Sequence, residues 1–455
     1  MVDLPDVVHL LARGRVGWDN AGSYRAEKPE HTGDLPLMES THSGAVTLNR
    51  YQIRLLAILA VINFVNFADR LVVPPLVPQL REQFDLSSVK LAALQIVLQV
   101  VLALATVPFG LLADRFSRTR IIAFGVVFWS LATFLSGLAQ TFALLLVARA
   151  LVGVGEAAYA PAAQSMISGA FPAAARARAQ AVFAAGMLAG ATAGLALGGV
   201  IAEMHGWRAA FFFVGVPGLI LALLALRLEE PPRGPRSEVV PIGKLLSVPA
   251  FLALILSGIL VTFTSVAFIF WGPDFVTQWK NFNQAEAGIS LGITVLLASL
   301  LGVLAGGYVA DWLQKRFAYG RILTVSLAFL AAAPFILWAL ATEEKQYVVA
   351  ALFLASFFMS WYHGPVTAVI HDLMPRRAHA TSVGLYMFIT QLLGGVLGPY
   401  VVGRIDDKRD LLVGLQVAVG VMVAGALCMF LVIYFIRLQG LRHPEMEMYR
   451  TEADP

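Results

Sequence analysis

The sequence predicts an all-α membrane protein of twelve transmembrane helices in two six-helix bundles, and three observations lead there. Of 455 residues, 58% are hydrophobic and only 14% charged, with a mean hydropathy of +0.74; a soluble domain carries roughly 25% charged residues. Apolar runs long enough to cross a hydrocarbon core of about 30 Å recur along nearly the whole chain. The second half of these runs repeats features of the first. An open strand edge finds no hydrogen-bond partner in lipid, so the spans must be helices. This composition excludes a disordered chain, a disulfide scaffold and a nucleic-acid module, and the single Cys428 excludes an internal disulfide.

Residues 1–50 are polar and lack a basic start, short apolar core and cleavage site, so they read as a cytoplasmic tail rather than a secretory signal. Within it, Leu4 to Leu11 fits either a surface amphipathic helix or part of a disordered tail. The candidate spans fall near 51–80, 88–113, 119–140, 142–170, 177–203, 207–227, 248–278, 285–312, 320–341, 347–373, 380–404 and 412–437. Residues 51–227 form the first bundle and 248–437 the second. The connection 228–247, with Pro231, Pro232, Pro235 and Pro241, is the cytoplasmic linker, and 438–455 is a second cytoplasmic tail.

Orientation follows from basic residues, which collect on the cytoplasmic side. With the N-terminus inside, the inner loops carry fourteen Lys and Arg: Arg115, Arg118, Arg120, Arg176, Arg178, Arg227, Arg233, Arg236, Lys244, Lys315, Arg316, Arg321, Arg376 and Arg377. The outer loops carry eight, mostly matched by acids. Both termini are therefore expected in the cytoplasm, and +4 net charge reflects these loops rather than a polyanionic partner.

After span 2 the chain reads Gly110-Leu-Leu-Ala-Asp114-Arg115-Phe-Ser-Arg118, and after span 8 Gly307-Tyr-Val-Ala-Asp311. Phe171-Pro172 and Tyr159 are answered by Met374-Pro375 and Tyr362. Gly190, Gly194 and Gly198–Gly199 are answered by Gly394, Gly398 and Gly403. Parallel six-helix repeats of this kind place a substrate site near the midplane between halves. Gly110 suits close helix approach, Asp114 suits the start of span 3, and Arg115, Arg118 and Asp311 join them as the expected cytoplasmic gate. A plain topogenic loop accounts for the arginines but not for the repeated Gly-to-Asp spacing. The pattern and the twelve-span plan resemble the major facilitator superfamily across residues 51–437, although Ser117 stands where that family usually has glycine.

Four charged residues lie inside spans 1 and 4: Asp69 and Arg70, then Arg149 and Glu156. Intramembrane charges cost several kcal/mol unless paired or wet, and by default they mark function. Seven residues separate Arg149 from Glu156, which puts them on one helical face roughly 10.5 Å apart; Asp69–Arg149 and Arg70–Glu156 pairs follow. Such pairs serve either as static packing elements or as groups that exchange an arginine for a proton or an anion. Their repeat counterparts, Val266, Leu352 and Met359, are neutral. One polar half and one apolar half suit an amphiphile with a charged head. A possible-pocket set comprises Tyr159, Thr262, Thr264, Phe268, Trp361 and His363, the last also a candidate proton relay. Asp274 admits two readings, an outer gate or an interface residue.

Asn66-Phe-Ala-Asp69-Arg70 with Arg149…Gly-Val-Gly-Glu156-Ala-Ala-Tyr159-Ala-Pro161 is similar to the spinster family. The resemblance implies transport of lysophospholipids or sphingosine-1-phosphate-like lipids, with protons in some members, and assigns the polar proton-linked site to Asp69, Arg70, Arg149 and Glu156. A related pattern occurs in organic anion:cation symporters, so an organic-anion:proton symporter is the alternative. A lipid-sensing receptor that moves nothing is a third reading. No phosphate-cradling loop, metal-ligand cluster or nucleophile–base pattern stands out, so no cofactor, metal or enzymatic activity is expected. The expected partners are an amphiphilic lipid or organic anion, protons and membrane lipids, not nucleic acid, and a monomer is expected. Dense Ala, Gly and Arg usage suggests a bacterial inner membrane.

Overall fold

The computed structural model describes residues 49–232 and 241–442. Arg233, Arg236, the 1–50 tail up to residue 48 and the C-terminal tail from residue 443 lie outside the described residues. Twelve helices among the described residues are long and apolar enough to span a membrane. They are α1 (Arg50–Phe84), α2 (Ser88–Ala113), α3 (Arg118–Gly137), α4 (Phe142–Ala170), α5 (Arg178–His205) and α6 (Trp207–Leu226). The second half comprises α7 (Pro249–Trp279), α8 (Gln284–Arg316), α9 (Gly320–Ala341), α10 (Lys345–Leu373), α11 (His379–Asp406) and α12 (Leu411–Leu438).

Local chemistry sets several starts. Asn49 caps α1 in a capping box with Gln52, and Asn283 does the same for α8 with Glu286. Ser87, Ser117 and Thr141 cap α2, α3 and α4 through their hydroxyls. Span 1 runs past the expected residue 80. Pro74-Pro75 occupies a 3-10 turn, where a missing N–H is tolerated, and helix resumes from Val77 until Asp85 adopts left-handed geometry at φ 49°. Related positions in the two repeats are irregular: α4 breaks at Ala158 before Tyr159, and α10 passes through a 3-10 turn at Ser360–Tyr362.

Within the first half α1 packs on α5 and α2 on α4; across the halves α5 meets α8 and α2 meets α11. Glycine lets α1 and α5 touch. A Cβ on Gly190 would stand 2.1 Å from the Phe64 carbonyl oxygen, and one on Gly194 2.4 Å from that of Ala68. Since α2 and α5 carry the inter-half contacts, α1 and α4 lie between them and face a space shared with α7 and α10.

An even number of spans puts both described chain ends on one side, here the terminal end. The halves close at the opposite end. There one core runs through both, from Val72 to Leu91 in the first and through Phe270, Phe275 and Val402 in the second. The terminal side of the first half has a separate core around Leu55, Ile122 and Phe171. Toward the terminal end the contact helices diverge, leaving Leu104, Val107 and Leu111 of α2 and Leu304 and Tyr308 of α8 largely exposed.

Candidate functional site

The four intramembrane charges form two ion pairs between α1 and α4. Arg149 Nη1 donates to Asp69 Oδ1 at 2.8 Å, with both side chains about 1% exposed. Arg70 Nε donates to Glu156 Oε2 at 2.6 Å. The guanidinium of Arg70 lies 4.8 Å from the Phe67 ring centroid, and that of Arg149 lies 5.9 Å from Phe211. Thr133 of α3 also donates its hydroxyl to Asp69 Oδ2. Glycine again provides room: a Cβ on Gly155 would stand 2.6 Å from the Trp129 nitrogen, so α3 and α4 pack backbone to backbone beside the charges.

The pairs differ in access. Asp69, Arg149 and Glu156 are buried, whereas the Arg70 side chain is 20% exposed, so within this quartet Arg70 alone is accessible. Burial is costly for charges that lack hydrogen bonds, yet Arg149 Nε and Nη2 and Glu156 Oε1 have no protein partner. Asn66 Nδ2 of α1 and Ser130 Oγ of α3 are likewise buried and unpartnered. The quartet thus retains spare donors and an acceptor that water, a proton or a ligand can engage.

His363 of α10, where the 3-10 turn ends, is exposed at mid-span beside Gly364, whose Cα has no neighbour that a Cβ would meet within 4 Å. The Tyr362 ring lies against it at 4.1 Å between centroids. Trp361 is half-buried among Phe357 and Phe358, with its indole N–H unpartnered. Phe268 and Thr262 of α7 are half-buried. Gln99 Nε2 donates to Gln391 Oε1 at 3.3 Å across the halves.

Two pocket expectations require correction. Tyr159 is 1% exposed, and its hydroxyl donates to the Leu59 carbonyl at 2.5 Å inside the first half. Thr264 is fully buried, and its hydroxyl donates to the Ala418 carbonyl of α12 at 2.7 Å. Neither faces the other bundle; spans that are apolar all round do not reveal their rotation. Thr133 went unnoticed because a lone threonine on an apolar span carries no signal until its neighbour is known.

The contacts described for the expected gate residues lie within their own halves in this conformation. Arg118 is 2% exposed and turned into its own bundle, donating Nη1 to Ser165 Oγ at 3.1 Å and Nη2 to the Pro231 carbonyl of the linker. It therefore holds the linker to the first half. Glu230 completes that attachment by accepting from Ser117 Oγ, Thr119 N and Thr119 Oγ1 at the start of α3. Burial pushes the Glu230 carboxyl up, but those hydrogen bonds and Arg118 outweigh it and hold it below its ordinary value. Gly110 has no neighbour that a Cβ would meet within 4 Å, Arg115 is exposed, and Asp311 is 72% exposed with Arg321 at 4.0 Å. The side chain of Asp114 lies outside the described residues.

Residues 59–399 match the profile of the Major Facilitator Superfamily. The chain belongs to the Major Facilitator Superfamily. Among curated members, it is 26% identical over 397 residues to Protein spinster of Drosophila melanogaster, covering 83% of this chain and 66% of the fly protein. It is 28% identical over 392 residues to Protein spinster homolog 1 of Bos taurus, covering 78% of this chain and 73% of that one. In fold it resembles crystal structures of a bacterial homologue of the human lysosomal transporter spinster. For the inward-facing unoccupied conformation the TM-score is 0.76, and for the occupied one 0.78. Each match has 24% identity and covers 86% of this chain and 98% of that one. The protein is thus a Major Facilitator Superfamily transporter of the spinster type, with multiple membrane spans.

Proposed function

We propose that this transporter moves a single-chain amphiphilic lipid, a lysophospholipid or a sphingosine-1-phosphate-like molecule, by proton-linked alternating access. The observation that carries this reading is the exposure of Arg70 alone among four intramembrane charges, opposite an apolar wall. A guanidinium partly in the cleft can take a phosphate in bidentate fashion. Across from it, Leu352 and Met359 pack into the core of the second half, and Phe358 and Trp361 offer a surface for a hydrocarbon tail. Protonation of Glu156 would release the Arg70 Nε for the lipid head, and deprotonation would reclaim it. Asp69–Arg149, locked by Thr133, then serves as the second charge store behind it. Spare hydrogen-bonding capacity on Arg149 and Glu156 supports this exchange.

With basic residues such as Arg115, Arg120, Arg178, Arg227 and Lys244 exposed at the terminal end, that end is taken as cytoplasmic. The conformation is then inward-facing, in a bacterial inner membrane, and one chain suffices for the site. The test is binding of a fluorescent lysophospholipid to the purified protein. Wild type should bind, and Arg70→Gln should bind at least tenfold more weakly, as expected when a charge-assisted pair worth about 1.5–3 kcal/mol is lost. Equal binding by both would refute the role of Arg70. Displacement by sugar acids but not by single-chain lipids would replace this reading with the organic-anion one.

A further inference from the structure

The closed end is fastened by backbone N–H groups at the starts of two helices, each reached by a carboxylate from the other half. At α2, Ser87 spends its hydroxyl on Lys90 N, which leaves the earlier N–H groups open. Asp407 of the second half takes them, accepting from Ser88 N at 2.6 Å and Val89 N at 3.1 Å. At α8, Asn283 spends its amide oxygen on Glu286 N. Glu203 of the first half takes the N–H before it, accepting from Ala285 N at 2.8 Å.

The two contacts are related by the internal repeat. Glu203 and Asp407 are 204 residues apart, the spacing that also relates Gly199 to Gly403. Those glycines serve the same purpose. A Cβ on Gly199 would stand 2.3 Å from the Gln284 carbonyl oxygen, and one on Gly403 3.0 Å from that of Ser88. Each pair thus brings the end of one helix against the start of another in the opposite bundle.

Dipoles make the arrangement directional. Glu203 lies in the last turn of α5, and Asp407 is the C-cap residue of α11. A carboxylate at the C-terminus of its own helix is disfavoured, while one at a helix N-terminus is favoured. Separating the halves therefore returns both acids to unfavourable ends and exposes unpartnered N–H groups on α2 and α8. Beside the Asp407 contact, Arg81 of α1 adds Asp274 Oδ2 at 2.8 Å and Asp406 Oδ2 at 3.7 Å, and Ser88 donates its hydroxyl to Asp406.

We propose that Glu203 and Asp407 are a pair of repeat-related clasps that hold the end opposite the termini shut, each capping a helix of the other half. They set the balance between the two faces of the transporter. This does not depend on what the substrate is or whether protons are coupled, since it concerns the resting equilibrium alone.

Spin labels at the exposed Gln140 of the first half and Gln346 of the second, in a Cys428→Ser background, report the opening by pulsed distance measurement. Glu203→Gln and Asp407→Asn should each raise the open-to-closed ratio about fivefold, and together about 25-fold, because the sites are independent. A Glu203→Lys/Asp407→Lys variant, which places cations at the helix starts, should move the population further. Asp410→Asn is the control, because that acid caps only its own helix at Val413 N. Unchanged distances in both double variants, with thermal midpoints showing folded protein, would overturn the proposal. So would an equal opening in Asp410→Asn, which would make the effect one of net charge.

Discussion

Arg149→Met tests the buried pair most sharply. The substitution keeps an unbranched but shorter stem and leaves Asp69 charged, about 1% exposed and held by Thr133. Removing one partner of a buried ion pair typically costs about 3–5 kcal/mol, whereas removing both charges with shape preserved is close to neutral. For a bundle of 150–250 residues each kcal/mol moves the thermal midpoint by about 2–4 °C. Arg149→Met should therefore lower the midpoint by about 6–20 °C, and Asp69→Asn/Arg149→Met should regain most of that loss. Thermal unfolding in one detergent, followed by tryptophan fluorescence and size-exclusion profile, measures both. If the double variant is as unstable as the single, the cost lies in lost packing against Phe211 and not in an orphaned charge, and the argument fails. Lipid flux separates stability from transport, since the double variant should be stable and inactive.

Other consequences follow from particular residues. Glu156→Gln should retain lysophospholipid binding but lose the pH dependence of flux; unchanged pH dependence would move the proton carrier to Asp69 or His363. Gly190→Ala should destabilise by about 1–3 kcal/mol, because the added methyl meets the Phe64 carbonyl. Gly384→Ala, a helical glycine with no neighbour that a Cβ would meet within 4 Å, should stabilise by about 0.5–1 kcal/mol; comparison of the two midpoints checks both. Glu230 is held below its ordinary value, so its contribution is present above the unfolded carboxylate range and fades as pH falls through the folded value. Glu230→Gln should cost about 0.5–2 kcal/mol at neutral pH, as loss of a helix cap does, and the difference from wild type should shrink in acid.

Much of this architecture is legible in the chain because lipid leaves few options. Twelve apolar runs become twelve helices, and the Gly-to-Asp and Tyr159–Tyr362 repeats announce two bundles. The Asp69–Arg149 and Arg70–Glu156 pairing was also readable, since intramembrane charges need partners and a seven-residue spacing aligns two of them. What the sequence conceals is rotation and state. Spans that are greasy all round do not say that Tyr159 and Thr264 turn into their own bundles. Arg118, read as a gate toward the second half, instead grips the Pro231 carbonyl, because the linker that follows α6 folds back under α3. Glu203 and Asp407 look like ordinary acids at span ends; only the meeting of helix ends across the halves gives them a task.

The central claim is that an amphiphilic lipid crosses on a site built from Asp69, Arg70, Arg149 and Glu156, driven or gated by protons. Flux of a labelled lysophospholipid into proteoliposomes, with and without an imposed pH gradient and beside a sugar-acid control, tests it directly. Lipid flux should respond to the gradient and vanish in Arg70→Gln, with no sugar-acid movement. Sugar-acid flux without lipid movement, or lipid flux indifferent to both the gradient and Arg70, would contradict it.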